Sequence, residues 1–177
     1  MNTPPLLLRV ETPFDLTHDS QRLCSYGLAL ERMSELLRRP RDAEDTLLVV
    51  QHPPTITVGR RGGRQHIHST TLQLAGHAPT AVEVHEVARG GSVTYHAPGQ
   101  LVVYPIVQLP RWTGRADKHP HGDLPRFVRT LELALQRTCA EFDLETVTRP
   151  GFSGLWKDER RKLASIGIGV RGGWSFN

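Results

Sequence analysis

The most informative stretch of this chain is Arg89-Gly90-Gly91-Ser92-Val93-Thr94-Tyr95-His96-Ala97-Pro98-Gly99-Gln100. Its two glycines separate an arginine from a short β-type run, and glycine permits positive φ and a close approach of the backbone to a ligand. Pro98-Gly99 predicts a turn after that run. From these residues alone two interpretations stay open. One is a ligand-binding loop and strand. The other is a strand, a tight turn and a histidine with internally satisfied hydrogen bonds.

A second informative stretch lies near the end of the chain. It reads Gly151-Phe152-Ser153-Gly154-Leu155-Trp156, then, after a short interval, Arg161-Lys162-Leu163-Ala164-Ser165-Ile166-Gly167. Asp158-Glu159-Arg160 predicts the turn of a hairpin between strands over Leu155–Lys157 and Lys162–Val170. Without its neighbours, Lys162 would be interpreted as a surface lysine of that hairpin.

These stretches resemble the octanoyl (lipoyl) transferase family, lipoate–protein ligase B. The first is similar to the family's R-G-G-x-V-T-Y-H-G-P-G-Q signature, with Ala97 where glycine is usual. The second is similar to its G-V-W…R-K-I-A-S-I-G segment, and residues 51–62 resemble its P-x-x-x-x-x-G-R segment. The resemblance runs from about residue 46 to the last residue. It implies an α/β (α+β) fold, with a mixed sheet and packed helices, like the catalytic domain of biotin and lipoate protein ligases.

The resemblance also implies roles for particular residues. One wall of an acyl-binding pocket would be formed by Arg89, Gly90, Gly91, Ser92, Val93, Thr94, Tyr95 and His96. The acyl chain would also be lined by Ser165, Ile166 and Gly167. Lys162 would be the partner of a catalytic cysteine, because an ammonium beside a thiol favours the thiolate and lowers the thiol pKa. The same lysine can shuttle a proton when an amine attacks.

The activity implied is that of an octanoyl-[acyl-carrier-protein]:protein N-octanoyltransferase of lipoate biosynthesis. A cysteine thiolate would take octanoyl from acyl carrier protein, and a lysine of a lipoyl-carrier domain would then accept it. Such domains occur in 2-oxoacid dehydrogenases and the glycine cleavage system. No ATP, cofactor or metal is expected, because a thioester is already activated and the chain has no G-x-x-x-x-G-K-[ST] loop. The alternative is a catalytically inactive acyl-binding module.

The nucleophile of the family is not assigned to any residue of this chain. In the family it lies in a Pro-Cys-Gly loop, beyond a histidine that falls at about Asn177 here. Cys24 and Cys139 lack glycine-rich, electropositive surroundings, and both are predicted to be small buried residues on helices. A single domain over residues 1–177, lacking its C-terminal part, is expected. It would be a fragment of a longer enzyme, a natural truncation without turnover, or a binding module.

Charge leaves two further alternatives open. The 177 residues carry a formal net charge of +4, which predicts either a solvated basic face or attraction to an acidic partner such as a carrier protein or a nucleic acid. Three Arg-Gly-Gly triplets, at 61–63, 89–91 and 171–173, are too widely spaced for a disordered RNA-binding box. Neither a nucleic-acid nor a membrane partner is expected. Without a signal peptide or an apolar span, the expected location is the cytoplasm.

Periodicity predicts the remaining elements. Strands are expected at 6–10 (an edge strand), 46–50, 56–58, 82–87, 101–107 and 146–148. Helices are expected at about Leu16–Arg39 and Leu124–Phe142, the second capped by Asp123, with helical turns at Ser69–Ala75 and a loop through Pro110, Gly114 and Pro120. The predicted inner face of the first helix is Leu23, Tyr26, Leu30, Met33 and Leu37. That of the second is Phe127, Val128, Leu131, Leu135, Thr138 and Phe142.

Overall fold

A computed structural model of the chain describes residues 8–12, 23–73, 78–114 and 121–177. The helices are α1 (Tyr26–Leu37), α2 (Leu109–Thr113) and α3 (Leu124–Ala140). The strands are β1 (Leu8–Glu11), β2 (Asp45–Val50), β3 (Thr55–Val58), β4 (Thr71–Leu72), β5 (Thr80–Ala81), β6 (Glu83–Glu86), β7 (Val93–His96), β8 (Val102–Ile106), β9 (Val147–Arg149), β10 (Phe152–Trp156), β11 (Lys162–Ser165), β12 (Gly169–Arg171) and β13 (Trp174–Phe176). This confirms the predicted α+β class.

The chain divides into two compact units. The first unit comprises Met1–Val107 and Gly169–Asn177, and the second comprises Gln108–Ile168. The expectation of one domain over the whole chain stays a prediction. The expected strand over Lys162–Val170 is wrong as a single element, because β11 belongs to the second unit and β12 to the first.

The first unit is built on two small mixed sheets. In one, β2 is flanked by parallel β1, at the edge as predicted, and by antiparallel β8. In the other, β3 is flanked by parallel β6 and antiparallel β7. The predicted mixed sheet with packed helices is therefore confirmed. In β8, Pro105 lies within the strand and opposite Leu47 of β2.

Helix α1 begins later than predicted. The Ser25 hydroxyl accepts a hydrogen bond from the Leu28 N–H at 3.3 Å and caps the helix, as a serine does at this position. Residues 23–25 are not helical, and the predicted part over 16–22 lies outside the described residues. The Cys24 N–H instead donates to the Gln51 carbonyl at 2.8 Å. This long-range bond keeps the chain out of the helix at that point.

The buried face of α1 is rotated from the predicted one. Its buried side chains are Tyr26, Ala29, Met33 and Leu36, which pack with residues of β2 and β8. Leu30 and Leu37 are only partly buried and lie at the margin of this core. The predicted helical turns at Ser69–Ala75 are wrong where they are described. Thr71 and Leu72 form β4, and the Ser69 hydroxyl accepts from the Thr71 N–H at 3.0 Å in a local turn, which competes with helix formation.

The second unit packs α3 on the β11-β10-β9 sheet. Asp123 caps α3 as predicted, accepting from the Arg126 N–H at 3.1 Å. Helix α2 replaces part of the predicted loop; its C-cap, Gly114, has a φ of 62°. Phe127 is buried as predicted, but Thr138 and Phe142 are exposed. Phe142 lies beyond the last turn of α3, where the helical periodicity no longer applies.

One buried residue of α3 is a carboxylate, which the apolar periodicity of the helix did not predict. Glu132 of α3 is 2% exposed. It accepts from Arg129 Nη1 at 2.6 Å and from the Gly154 N–H of β10 at 3.0 Å. A buried carboxylate is tolerated when it is hydrogen-bonded and paired. Glu132 therefore anchors the sheet to the helix through the backbone of Gly154.

The predicted hairpin near the end of the chain is confirmed. β10 and β11 are antiparallel, and the Asp158 carboxylate in the turn accepts from the N–H groups of Arg160 and Arg161 at 3.0 and 2.9 Å. In the described part of the chain, no helix is both long and apolar enough to cross a membrane.

Candidate functional site

The predicted acyl wall occupies β7 and the loop before it, and the register of β7 divides it between two faces. Tyr95 lies opposite Ile56, and Val93 opposite Val58. Thr94 lies opposite Thr57 instead. Because side chains alternate across a strand, Val93 and Tyr95 share an apolar face. Thr94 and His96 share a polar one.

The apolar face borders a pocket of about 250 Å³. Its apolar lining is Ile56, Ile67, Leu72, Val82, Val93 and Tyr95. His66, His68, Ser69 and Thr71 complete its rim. A concave, mostly apolar lining with a few polar groups suits an apolar ligand. Of the predicted wall, Val93 and Tyr95 therefore line a pocket within the first unit.

Arg89 serves the polar face of the same sheet and is 8% exposed. Its Nη2 donates to the Thr57 carbonyl at 2.8 Å, to the Thr57 hydroxyl at 2.7 Å and to the Thr94 hydroxyl at 2.9 Å. Its Nη1 donates to the Gly90 carbonyl at 3.0 Å. Burial lowers the pKa of Arg89, although a guanidinium stays charged in proteins. The Arg89 side chain thus links β3, β7 and the loop before β7 through hydrogen bonds.

Glycines let the loop before β7 lie against the loop after β3. A Cβ on Gly59 would lie 2.5 Å from the Gly91 carbonyl oxygen and 2.8 Å from Arg89 Nη1. The Gly59 N–H donates to the Ser92 carbonyl at 2.8 Å, and the Ser92 hydroxyl donates to the Gly62 carbonyl at 2.7 Å. Gly91 itself has a φ of 89°, which favours glycine. Gly59 and Gly91 therefore allow the two loops to pack closely against each other.

A cluster of tyrosine and histidine rings lies under the polar face. The His52 ring centroid is 5.4 Å from that of Tyr26, 5.6 Å from His96 and 5.9 Å from Tyr104. His52 Nδ1 lies 2.6 Å from the Cys24 carbonyl, and its Nε2 lies 2.7 Å from the Tyr104 hydroxyl. Since a carbonyl only accepts, Nδ1 carries the proton and Nε2 accepts from Tyr104.

Burial shifts the titration of this cluster. It lowers the pKa of His52 and raises the pKa of Tyr104. It also raises the pKa of Tyr26 to about 12, and the Tyr26 hydroxyl donates to Asn177 Oδ1 at 2.9 Å. Sequence reasoning assigned no role to His52 or Tyr104. The signal in the sequence that could have indicated His52 is its position within residues 51–62, the stretch that resembles a family segment.

Lys162, the predicted partner of a cysteine, opens β11 and has an exposed side chain. Its Nζ lies 5.1 Å from the ring centroid of Trp156, within reach of a cation–π interaction. Its stem crosses Gly154, where a Cβ would lie 2.8 Å from Lys162 Cε and would also meet the Ala164 carbonyl oxygen. Gly154 has a φ of 116°. The glycine leaves room for the lysine stem, and the tryptophan ring lies beside the ammonium.

The other predicted lining residues follow Lys162. Ser165 ends β11 opposite Gly154 and is exposed, while Ile166 and Gly167 are partly buried in the connection to β12. They and Lys162 belong to the second unit, whereas Arg89 to His96 belong to the first. Their joint role in one pocket stays a prediction.

Cys24 does not have the surroundings of an activated thiol. Cys24 is 1% exposed, and burial raises the pKa of its thiol. It precedes α1, so its predicted place on that helix is wrong. Cys139 lies on α3 and is partly buried. Within the described ranges, no group of three or more His, Cys, Asp or Glu side chains is arranged to hold a metal ion.

Comparison with known proteins decides the family. Residues 25–177 match the family described as the lipoyl protein ligase A/B catalytic domain. The chain belongs to this family. An octanoyltransferase of Acidobacterium capsulatum is 39% identical over 152 residues, which are 83% of this chain and 60% of that protein. An octanoyltransferase of Geobacter metallireducens is 42% identical over 127 residues, 72% of this chain and 51% of that protein. The predicted resemblance to octanoyl transferases is thereby confirmed.

Solved structures agree on the fold. A bi-partite lipoate protein ligase from Thermoplasma acidophilum aligns with a TM-score of 0.60 at 16% identity, over 97% of this chain and 60% of that one. A lipoate-protein ligase A bound with ATP aligns with a TM-score of 0.57 at 13% identity, over 96% of this chain and 63% of that one. At such identities the likeness shows the fold alone. The chain spans from about half to about two-thirds of the length of these relatives.

Proposed function

We propose that this chain carries the acyl-binding wall and the lysine of an octanoyl-[acyl-carrier-protein]:protein N-octanoyltransferase. The observation that carries the proposal is the identity of about 40% to octanoyltransferases over 83% and 72% of this chain. The apolar pocket beside Val93 and Tyr95 supports an acyl substrate. The placement of Lys162 over Trp156, with Gly154 leaving room for its stem, supports a lysine with a defined position.

The reaction proceeds in two acyl transfers. A cysteine thiolate attacks the carbonyl carbon of the octanoyl thioester, the carrier thiol leaves, and an acyl-enzyme thioester forms. The ε-amine of a lipoyl-domain lysine then attacks, an amide bond forms, and the cysteine thiol is released. The amine gives up a proton in that step, and Lys162 is the group proposed to transfer it. In the family, the cysteine belongs to a Pro-Cys-Gly segment, and neither Cys24 nor Cys139 fits that role.

The proposed partners are octanoyl-acyl carrier protein and the lipoyl-carrier domains of 2-oxoacid dehydrogenases and the glycine cleavage system. Arg60 and Arg61, both exposed, offer positive charge for an acidic carrier, and such charge raises encounter rates. The proposed location is the cytoplasm, where these carriers would be met.

The test is octanoyl transfer by the whole protein. Octanoyl-acyl carrier protein and an apo lipoyl domain are mixed with the enzyme, and the mass of the lipoyl domain is followed. We expect one octanoyl group on one lysine, and no modification when the lipoyl-domain lysine is replaced by arginine. A folded protein that leaves the lipoyl domain unmodified contradicts the proposal.

A second candidate is an acyl-binding module without transfer. The observation favouring it is the apolar pocket, which would bind an acyl chain whether or not transfer follows. It predicts saturable octanoate binding with no label transfer to a lipoyl domain. The reading frame after Asn177 discriminates between the two, because only the enzyme requires a Pro-Cys-Gly segment there.

A further inference from the structure

A continuous chain of hydrogen bonds crosses the polar face of the wall, from the Arg89 guanidinium to the Tyr95 carbonyl. Arg89 Nη2 donates to the Thr57 hydroxyl at 2.7 Å. That hydroxyl oxygen lies 3.3 Å from His96 Nε2, and His96 Nδ1 lies 2.7 Å from Gln100 Oε1. Gln100 Nε2 in turn donates to the Tyr95 carbonyl at 3.2 Å. Both ring nitrogens of His96 therefore have a partner within the protein.

The direction of every bond in this chain follows from its ends. A guanidinium only donates, so the Thr57 oxygen accepts from Arg89 and its hydroxyl proton is free to point at His96. At the other end, the Gln100 amide nitrogen is held by the Tyr95 carbonyl, so its oxygen faces the ring and accepts. His96 Nδ1 must then carry the proton. In the uncharged ring this leaves Nε2 as an acceptor, and the Thr57 hydroxyl is placed to donate to it.

We propose that Thr57 and Gln100 are positioning residues for the uncharged His96 ring: Gln100 keeps the proton on Nδ1, and Thr57 donates to Nε2. In this state His96 is neither an acid nor a base available to a substrate. It joins β3 to the turn after β7, which Gln51 also holds through its Oε1 and the Gly99 N–H at 2.8 Å.

The surroundings of His96 favour the same uncharged state. The titratable groups acting on it are Arg89, from the loop before β7, and His52, from the loop after β2. Burial is the largest cause and lowers the pKa of His96. The hydrogen bond to Gln100 raises that pKa, and His52 and the charge of Arg89 lower it further. An imidazolium would add a second buried positive charge beside the first. The consequence for catalysis, that His96 orients the wall and transfers no proton, rests on the proposed function.

The experiment is a ¹⁵N NMR titration of the histidine side chains, with His96 assigned by comparison with His96→Gln. In the wild type at neutral pH we expect a protonated Nδ1 and an Nε2 with the shift of an acceptor nitrogen. Thr57→Val removes the donor to Nε2 and should raise the titration midpoint of His96 by roughly 0.5–1 pH unit. Thr57→Ser retains the hydroxyl and should restore the wild-type midpoint. Gln100→Glu places a carboxylate beside Nδ1 and should raise the midpoint further.

Each outcome has a defined meaning. A wild-type His96 with its proton on Nε2, or with both nitrogens protonated at neutral pH, overturns the inference even if the valine variant does not fold. Equal midpoints for the valine and serine variants overturn the role of Thr57. The predicted tautomer together with a failed octanoyl transfer assay leaves this inference standing and removes the proposed function alone.

Discussion

The two predicted parts of the site are built in opposite ways. In the first unit, Arg89, Thr57 and His96 are buried or half-buried, and their polar atoms bond one another. In the second unit, Lys162 is exposed, its ammonium lies near the Trp156 ring, and its stem passes over Gly154. The comparison teaches that a long signature motif can form the framework of a sheet, whereas the lysine proposed for the chemistry lies at the surface. Substitutions in the first region should lower the free energy of unfolding, and substitution of Lys162 in the second should lower octanoyl transfer.

The largest expected effect is on the framework. Arg89→Met removes four hydrogen bonds and leaves the Thr57 and Gly90 carbonyls without that donor. We expect the free energy of unfolding, measured with urea, to fall by about 3 kcal/mol. The matched control is Arg160→Met in the exposed turn, which should change stability by less than about 0.5 kcal/mol. Equal losses in the two variants would show that Arg89 is no framework residue.

Lys162→Met should show the reverse behaviour. Because the side chain is exposed, unfolding should change by less than about 0.5 kcal/mol. Octanoyl transfer by the whole protein should fall by roughly 100-fold or more, since a proton-transfer group is lost. Lys157→Met, in the same hairpin and also exposed, should retain transfer. A Lys162 variant with full activity would remove the lysine from the mechanism.

Gly154→Ala tests whether the lysine depends on the space beneath it. Its φ of 116° and the clash with Ala164 and Lys162 should lower stability by about 2 kcal/mol. Gly151→Ala is the control. It has a φ of 81° but no atom within 4 Å of the added Cβ, so backbone strain alone should cost about 1 kcal/mol. If the two alanine variants are equally stable, the contact with Lys162 imposes no constraint.

The smallest effect is a pH dependence of stability. His52 and His96 have pKa values lowered by burial from the ordinary 6.5, so below pH 6.5 the unfolded chain binds protons that the folded chain refuses. Stability is then fully present above pH 6.5 and declines as pH falls toward the folded pKa values. Hydrogen bonding to Arg32 lowers the pKa of Glu11 from its ordinary 4.5. Protonation of that carboxylate therefore affects stability only at a lower pH.

Urea unfolding between pH 5 and pH 7.5 measures this slope. His52→Gln should reduce it, although the variant is less stable at every pH. His68→Gln, at an exposed position, should leave the slope unchanged. A slope unaffected by His52→Gln would show that the buried ring is not held neutral.

Local patterns predicted much of the fold. The apolar run of β2, the Asp123 cap of α3 and the Asp158 turn all depend on neighbours within a few residues, and all three were predicted. The end of the Leu16–Arg39 helix was close for the same reason. Its start was wrong because Cys24 is tied to Gln51, 27 positions away, and no local signal reports such a bond. Glu132 was missed because apolar periodicity cannot foresee a buried carboxylate.

The family, the mixed-sheet class and the residues proposed for the wall and the lysine were predictable from the sequence, because those depend on dense motifs of neighbouring residues. The contacts of the wall residues became visible in the folded chain alone. The register of β7 turned Val93 and Tyr95 toward a pocket and His96 toward Thr57. Tertiary packing also brings the Tyr104 hydroxyl to His52, although the two residues are 52 positions apart in sequence. Hydrogen-bond partners so distant in sequence are chosen by packing, and packing is a property of the folded chain.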